Sequence, residues 1–416
     1  MKTSNLKTWV LIIGKFLTSQ GIIKFIDLIT ALLILRYLPV KEYALYIISS
    51  LLLTIGSTGS DLGLTQAVIT LGARIQNNPT ELGSLFSTAR KYRRNLFSIT
   101  SIIIIILTPI MLGRRFTLSD ILICLLLILL SNWFEQTVSL RNSILNIHHD
   151  LKSLFQAGII TSLSRLIFTV TICKIIPIAI IAIAINLLGY IINSFILQFL
   201  GKKYLDEQEV PSIEHKQELN AFIYPLIPGV IYFIIQGQVS IFLLSLFGHT
   251  IPVAQVGALG RLGQIIGSLE MINPFFIQPY FARLEKKKKY IIKGLLIILV
   301  LLFSIIIILI SSFIFPQAWL YLLGSHYNDL THELPLALAA PLILLIGATL
   351  YRMLIAQKTT KGQSFSILIS IGIQLLFIWI KGVNTASDAL LMNVMLNSGY
   401  LVLQLFLMGR LLYSWK

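Results

Sequence analysis

Several ionisable side chains stand inside runs of sequence that are otherwise apolar. Lys24, Arg165 and Arg261 are cationic there, and Asp27, Asp61, Glu135 and Glu270 are acidic. At about 100° per residue, Gln20, Lys24 and Asp27 share one face of the helix that their neighbours predict. A charge at mid-bilayer costs roughly 2.5 kcal/mol or more. Such a face therefore looks into a protein interior or a watered cavity rather than into lipid. Covalent chemistry has no residues to point at. His148, His149, His326 and His332 fall in loops between the apolar runs, and no histidine sits on a span near a serine, cysteine or acid at useful spacing. There is no glycine-rich phosphate loop and no HExxH. Cys124 and Cys173 lie in apolar runs with no disulfide or metal-ligand spacing. The expectation is a protein that is not an enzyme and takes no cofactor.

Other apolar runs carry polar faces of their own. Gly56, Ser57, Gly59, Ser60, Asp61 and Gly63 cluster, as close helix packing, a kink or a cavity wall would require. Asn132, Glu135 and Ser139 share a face, as do Thr161, Ser162, Arg165 and Thr169; a structural Glu135–Arg165 ion pair is one expectation. Tyr232, Gln236 and Ser240 line up, and so do Gly257, Arg261, Gln264 and Ser268, with Glu270 on the opposite side. Ser366, Ser370 and Gln374 form another row, and Asn393, Asn397, Tyr400 and Gln404 a last one. Interhelical hydrogen bonds would absorb many of these amides and hydroxyls. Polar faces on so many runs favour a large hydrated interior.

The elements that must position these side chains follow from composition. Of 416 residues, 56% are hydrophobic and only 12% charged. A soluble domain with that balance would expose large apolar patches. The apolar runs are continuous Ile/Leu stretches such as 102–107, 121–130 and 295–310, so helices are expected and a β-barrel is not. Twelve spans are predicted: 9–38, 43–72, 95–113, 118–141, 153–173, 176–200, 221–247, 252–282, 291–315, 335–357, 364–381 and 386–412. The short basic N-terminus precedes a charged apolar run without a cleavage site and reads as a retained first helix.

A net charge of +16 would suggest nucleic acid in a soluble protein. Here most of the 33 Lys and Arg fall in alternate connections and at helix ends, which is the positive-inside pattern. It places both termini in the cytoplasm and argues against nucleic acid as a partner. The run Lys286–Lys289 anchors topology and attracts anionic headgroups. Residues 201–220, rich in Asp and Glu, read as a cytoplasmic linker between six-helix lobes at 1–200 and 221–416. Pro39-Val40 and Pro252-Val253 open corresponding helices of the two halves, a faint internal echo.

The order of short motifs carries a resemblance. Arg36-Tyr37-Leu38-Pro39-Val40-Lys41-Glu42-Tyr43-Ala44-Leu45-Tyr46 resembles the loop after the first helix of polysaccharide exporters, with Ala44 at a usual Gly position. Asp61-Leu62-Gly63-Leu64 with Ala67, Pro274 and Pro279 with Arg283-Leu284, and Leu322-Leu323-Gly324-Ser325-His326-Tyr327 with Leu334-Pro335-Leu336 are similar to further elements of that family. The chain as a whole resembles Wzx-type O-antigen flippases, of the MOP superfamily that includes MATE transporters and lipid II flippases.

That resemblance implies an all-α, MATE-like polytopic fold of about twelve helices in two six-helix lobes, alternating access, and a place in the bacterial inner membrane. It implies an undecaprenyl-pyrophosphate-linked oligosaccharide moved from the cytoplasmic to the periplasmic leaflet, with the bilayer and other polysaccharide assembly proteins as partners. A pyrophosphate needs cations in a low-dielectric cavity, so Lys24 and Arg261, with Arg165 third, are its expected ligands. Asp27, Asp61, Glu135 and Glu270 are expected in ion coupling or in setting cavity charge, and Asp27 could clamp Lys24 until substrate arrives. Gln20, Gln236, Gln264, Gln374, Asn393 and Asn397 are candidate sugar contacts. The alternatives are a MATE-like small-molecule antiporter, which would want an acidic cavity, and an O-antigen polymerase or ligase, which would want a large outer loop.

Overall fold

The computed structural model describes residues 3–113, 115–205, 209–225, 227–247, 250–271, 273–284, 287–357, 359 and 362–414; side chains before Gln20 lie outside the description. Every regular element among them is helical. The chain is an all-α polytopic membrane protein. Among the described residues, eight helices are long and apolar enough to cross a bilayer, and Phe365–Ile380 is a shorter apolar one.

By internal packing the chain forms two units, 1–238 and 239–416. The first contains α1 (Thr3–Tyr37), α2 (Val40–Asp61), α3 (Leu64–Gly72), α4 (Pro79–Leu112), α5 (Leu118–Ile147), α6 (Leu151–Phe168), α7 (Ala179–Gly201), α8 (Ile213–Ile223) and the start of α9 (Ile227–Phe247). Local chemistry sets several boundaries. Leu62 (φ 41°) and Gly63 (φ 86°) are both left-handed and break the predicted second span into α2 and α3. Helix α4 starts well before its apolar stretch. Asn78 caps it, accepting from Glu81 N–H, and Pro79 occupies its first turn. Residues 73–94, which separate the predicted spans 43–72 and 95–113, are therefore largely helix. Thr117 and Asp120 form a reciprocal capping box at the start of α5.

Two features hold this unit together. Leu64, Val68, Leu82, Phe86, Leu140, Ile144, Leu219 and Ile223 form one buried cluster, which ties α8 to α3, α4 and α5. At the turn between α5 and α6, Asp150 caps α6 through Ser153 and accepts from Lys203 Nζ at 2.9 Å and Tyr204 OH at 2.8 Å. The His148 ring stacks on Tyr204 with centroids 4.1 Å apart. Burial alone would raise the Asp150 carboxyl, but the bonds from Lys203, Ser153 and Tyr204 outweigh it and hold the group well below the usual range.

The second unit contains the end of α9, then α10 (Thr250–Ser268), α11 (Gln278–Ala282), α12 (Lys287–Ile314), α13 (Pro316–Tyr321), α14 (Leu334–Ala356), α15 (Phe365–Ile380) and α16 (Ala386–Tyr413). The predicted eighth span, 252–282, is instead α10 followed by irregular turns, 3-10 at Leu269–Met271 and π at Asn273–Ile277. Helix α14 is the buried centre, packed by α10, α12 and α16. Gly347 on α14 lets Tyr400 of α16 lie close; a Cβ there would meet the ring at 2.8 Å. Helix α12 is apolar all round and mostly exposed, including Leu295, Leu299, Phe303 and Ile306, as a lipid-facing helix should be.

Candidate functional site

The first unit holds two polar clusters, and both use residues expected from the sequence. The first joins α1, α6, α7 and α2. Asp27 Oδ1 accepts from Ser162 Oγ at 2.9 Å and faces Arg165 Nη1 at 3.5 Å. Arg165 Nη2 donates to Asn186 Oδ1 at 2.7 Å, and Asn186 Nδ2 donates to Tyr46 OH at 3.2 Å. Gly189 on α7 makes room for the arginine: a Cβ there would meet Arg165 Cδ at 2.6 Å. Two expectations are corrected. Arg165 pairs with Asp27, not with Glu135, because α6 packs on α1 and α7 at this level. Asp27 is thereby turned to Arg165 and does not clamp Lys24. Lys24 is exposed, and among the described residues it makes no ion pair.

The second cluster lies where α2 ends. Asp61 is paired with Arg93 of α4 and also accepts from the Thr65 backbone N–H and hydroxyl. Arg93 donates to the Gln136 carbonyl at 2.8 Å and to Thr65 Oγ1 at 2.7 Å; Thr65 Oγ1 in turn lies 2.9 Å from Ser139 Oγ. The left-handed step at Leu62–Gly63 sets Thr65 within reach of Asp61. Beside this network is a cavity of about 220 Å³ lined by Ser57, Thr58, Asp61, Arg93, Glu135, Gln136 and Ser139. Glu135 Oε2 is buried and takes no hydrogen bond. The small-residue stretch serves two purposes. Ser57 lines the cavity, while Gly59 and Ser60 pack on α4, with Ser60 Oγ 2.8 Å from Thr100 Oγ1.

Arg93 is the residue that sequence reading missed. It stands in the run Arg90, Lys91, Arg93, Arg94, which looks like inner-loop charge, yet it is 3% exposed. The cap at Asn78-Pro79-Thr80-Glu81 was the available signal. A helix starting there places Leu82, Phe86, Ala89, Arg93 and Thr100 on one buried face.

The remaining candidates are not among the described members of these clusters. Gln20 is half-buried on α1 and Gln236 half-buried on α9. In the second unit, Arg261 Nη1 donates to Gln264 Oε1 at 3.2 Å along one face of α10, as their spacing implied. Glu270 sits in the 3-10 turn after α10 instead of continuing that helix. Asn393 Oδ1 accepts from Ser240 Oγ at 2.5 Å, and Asn397 Nδ2 donates to the Ala340 carbonyl at 2.8 Å. These two amides therefore join helices. Gln374 is buried, and its Nε2 has no hydrogen-bond partner.

No protein-family model and no curated protein matches this sequence. Solved structures do share the fold. The lipid II flippase MurJ in an inward closed conformation is 16% identical, with a TM-score of 0.69 over 94% of this chain and 86% of that one. An inward-facing multidrug resistance MATE transporter of the MOP superfamily is 14% identical, with a TM-score of 0.69 over 94% of each chain. The eukaryotic MATE transporter AtDTX14 is 12% identical, with a TM-score of 0.62 over 96% of this chain and 94% of that one. The chain thus has the fold of MOP-superfamily transporters.

Proposed function

We propose that this chain is a flippase that carries an undecaprenyl-pyrophosphate-linked oligosaccharide from the cytoplasmic to the periplasmic leaflet of a bacterial inner membrane by alternating access. The observation that carries this reading is Lys24. It is an exposed cation on an apolar helix, and the carboxylate that shares its helix face is committed to Arg165. A cation left available in a spanning segment suits an anionic headgroup, since a charge-assisted contact contributes roughly 1.5–3 kcal/mol. The fold shared with a lipid II flippase supports a lipid-linked cargo. In this reading Arg261, whose Nη1 donates to Gln264 Oε1, is the second pyrophosphate ligand. Arg165 holds Asp27 and Asn186 and acts by positioning α1.

Ion coupling falls to the Asp61–Arg93–Glu135 cluster, where a carboxylate oxygen without a partner borders a cavity. That same observation supports a second reading, a small-cation antiporter. Deleting the gene in the source bacterium separates them. Accumulation of a complete lipid-linked repeat unit on the cytoplasmic side, with loss of surface glycan, supports the flippase. Intact surface glycan with increased drug sensitivity supports the antiporter. Accumulation of single-repeat glycan on the periplasmic side would point to a polymerase.

A further inference from the structure

A second cavity of the first unit, of about 480 Å³, lies between α4 and α5. Arg90, Lys91, Arg93 and Arg94 of α4 and Arg141 of α5 all line it, and no described carboxylate does. Arg93 is paired with Asp61 and also borders the smaller cavity, so Arg90, Lys91, Arg94 and Arg141 are the cations that give this groove its charge. Several cations converging on one cavity favour a phosphate.

The surroundings say which phosphate. Along α5, Leu122, Leu126 and Leu130 are exposed, and the same stripe continues into Trp133, which is exposed beside the groove, and then Thr137 and Arg141 within it. An apolar track that passes an interfacial tryptophan and ends in cations matches the depth profile of a bilayer lipid, with tails below and headgroup above. The third wall is Pro211, held in place on both sides: Ser84 Oγ donates to the Val210 carbonyl at 2.9 Å, and Ser212 N–H donates to Thr88 Oγ1 at 3.0 Å.

We propose that the α4–α5 groove is a binding site for the phosphate headgroup of an anionic membrane phospholipid, separate from the cargo site and present in the resting protein. The test uses purified full-length protein in detergent, titrated with phosphatidylglycerol or phosphatidylcholine, with bound lipid counted by native mass spectrometry. Phosphatidylglycerol should be retained in preference. R90Q/R94Q should weaken its retention on the order of tenfold or more, because each surface cation contributes to anionic-lipid attraction. R90K/R94K should restore it, and K288Q/K289Q, on α12, should leave it unchanged. Sodium pyrophosphate at equal concentration should not displace the lipid, because the tail contacts hold it. Should R90Q/R94Q fail to fold, the single exposed change R94Q carries the same test. Equal retention of the two lipids, or unchanged retention in R90Q/R94Q or R94Q, would overturn the proposal. Displacement by pyrophosphate would overturn it too, since the groove would then be a soluble-phosphate site. None of these readings depends on transport, so failure here is distinct from failure of the flippase reading.

Discussion

Three buried or half-buried acids divide the work of this chain, and each has a different partner. Asp61 is paired with an arginine that is almost wholly buried. Removing the acid leaves that charge uncompensated, which costs about 3 kcal/mol or more. Asp61→Asn should therefore lower thermal stability strongly, and Asp61→Asn with Arg93→Met should recover part of the loss; melting of the detergent-solubilised protein reads both. Asp150 makes a prediction about pH. Its folded carboxyl is held below the unfolded value of about 3.9 by Lys203, Ser153 and Tyr204. Its contribution is present above that value and fades as pH falls below it. Asp150→Asn should destabilise at neutral pH, and the gap from wild type should narrow as the medium is acidified through pH about 4. Melting curves across that range check it. Asp27 is bound to Ser162 and Arg165, so Asp27→Asn should disturb the α1–α6 contact as well as any cavity charge.

At the scale of elements, apolar stretches were readable where caps agreed with them. The spans predicted at 335–357 and 386–412 match α14 and α16 closely, because a proline start and a Thr385–Asp388 capping box mark them. Helix α4 was harder to read. Its first half is polar and basic and is buried by α3, α5 and α8 instead of lipid, so hydropathy misses it while the Asn78 cap does not. Asn78→Ala should cost about 1 kcal/mol and fray that half, measurable as faster amide exchange at residues 79–90. Ion pairs were less legible than helices. The sequence suggested Glu135 as the partner of Arg165, and only the packing of α6 on α1 decides for Asp27. Close approach of α2 and α4 rests on Gly59, where a Cβ would meet Thr100 Cγ2 at 2.8 Å. Gly59→Ala should cost about 1–3 kcal/mol by overpacking, again visible as a lowered melting temperature.

For the whole molecule, composition and apolar runs lead to a helical polytopic chain, and the resemblance to MOP-superfamily flippases leads to the fold that the structure shares with MurJ and MATE transporters. Composition alone could not say which side chains would stay available for cargo, because that depends on which partners packing supplies. Asp27, Arg165, Asn393 and Asn397 are engaged by neighbouring helices, and Lys24 is exposed. The central claim is that Lys24 binds an anionic lipid-linked glycan during translocation. It is tested most directly in proteoliposomes, by following transfer of undecaprenyl-pyrophosphate-linked glycan between leaflets. Wild-type protein should transfer it, and Lys24→Ala, reconstituted at equal density, should be slower by about tenfold or more, the equivalent of one lost charge-assisted contact. Equal rates for wild type and Lys24→Ala, or no transfer by the wild type, would contradict the account.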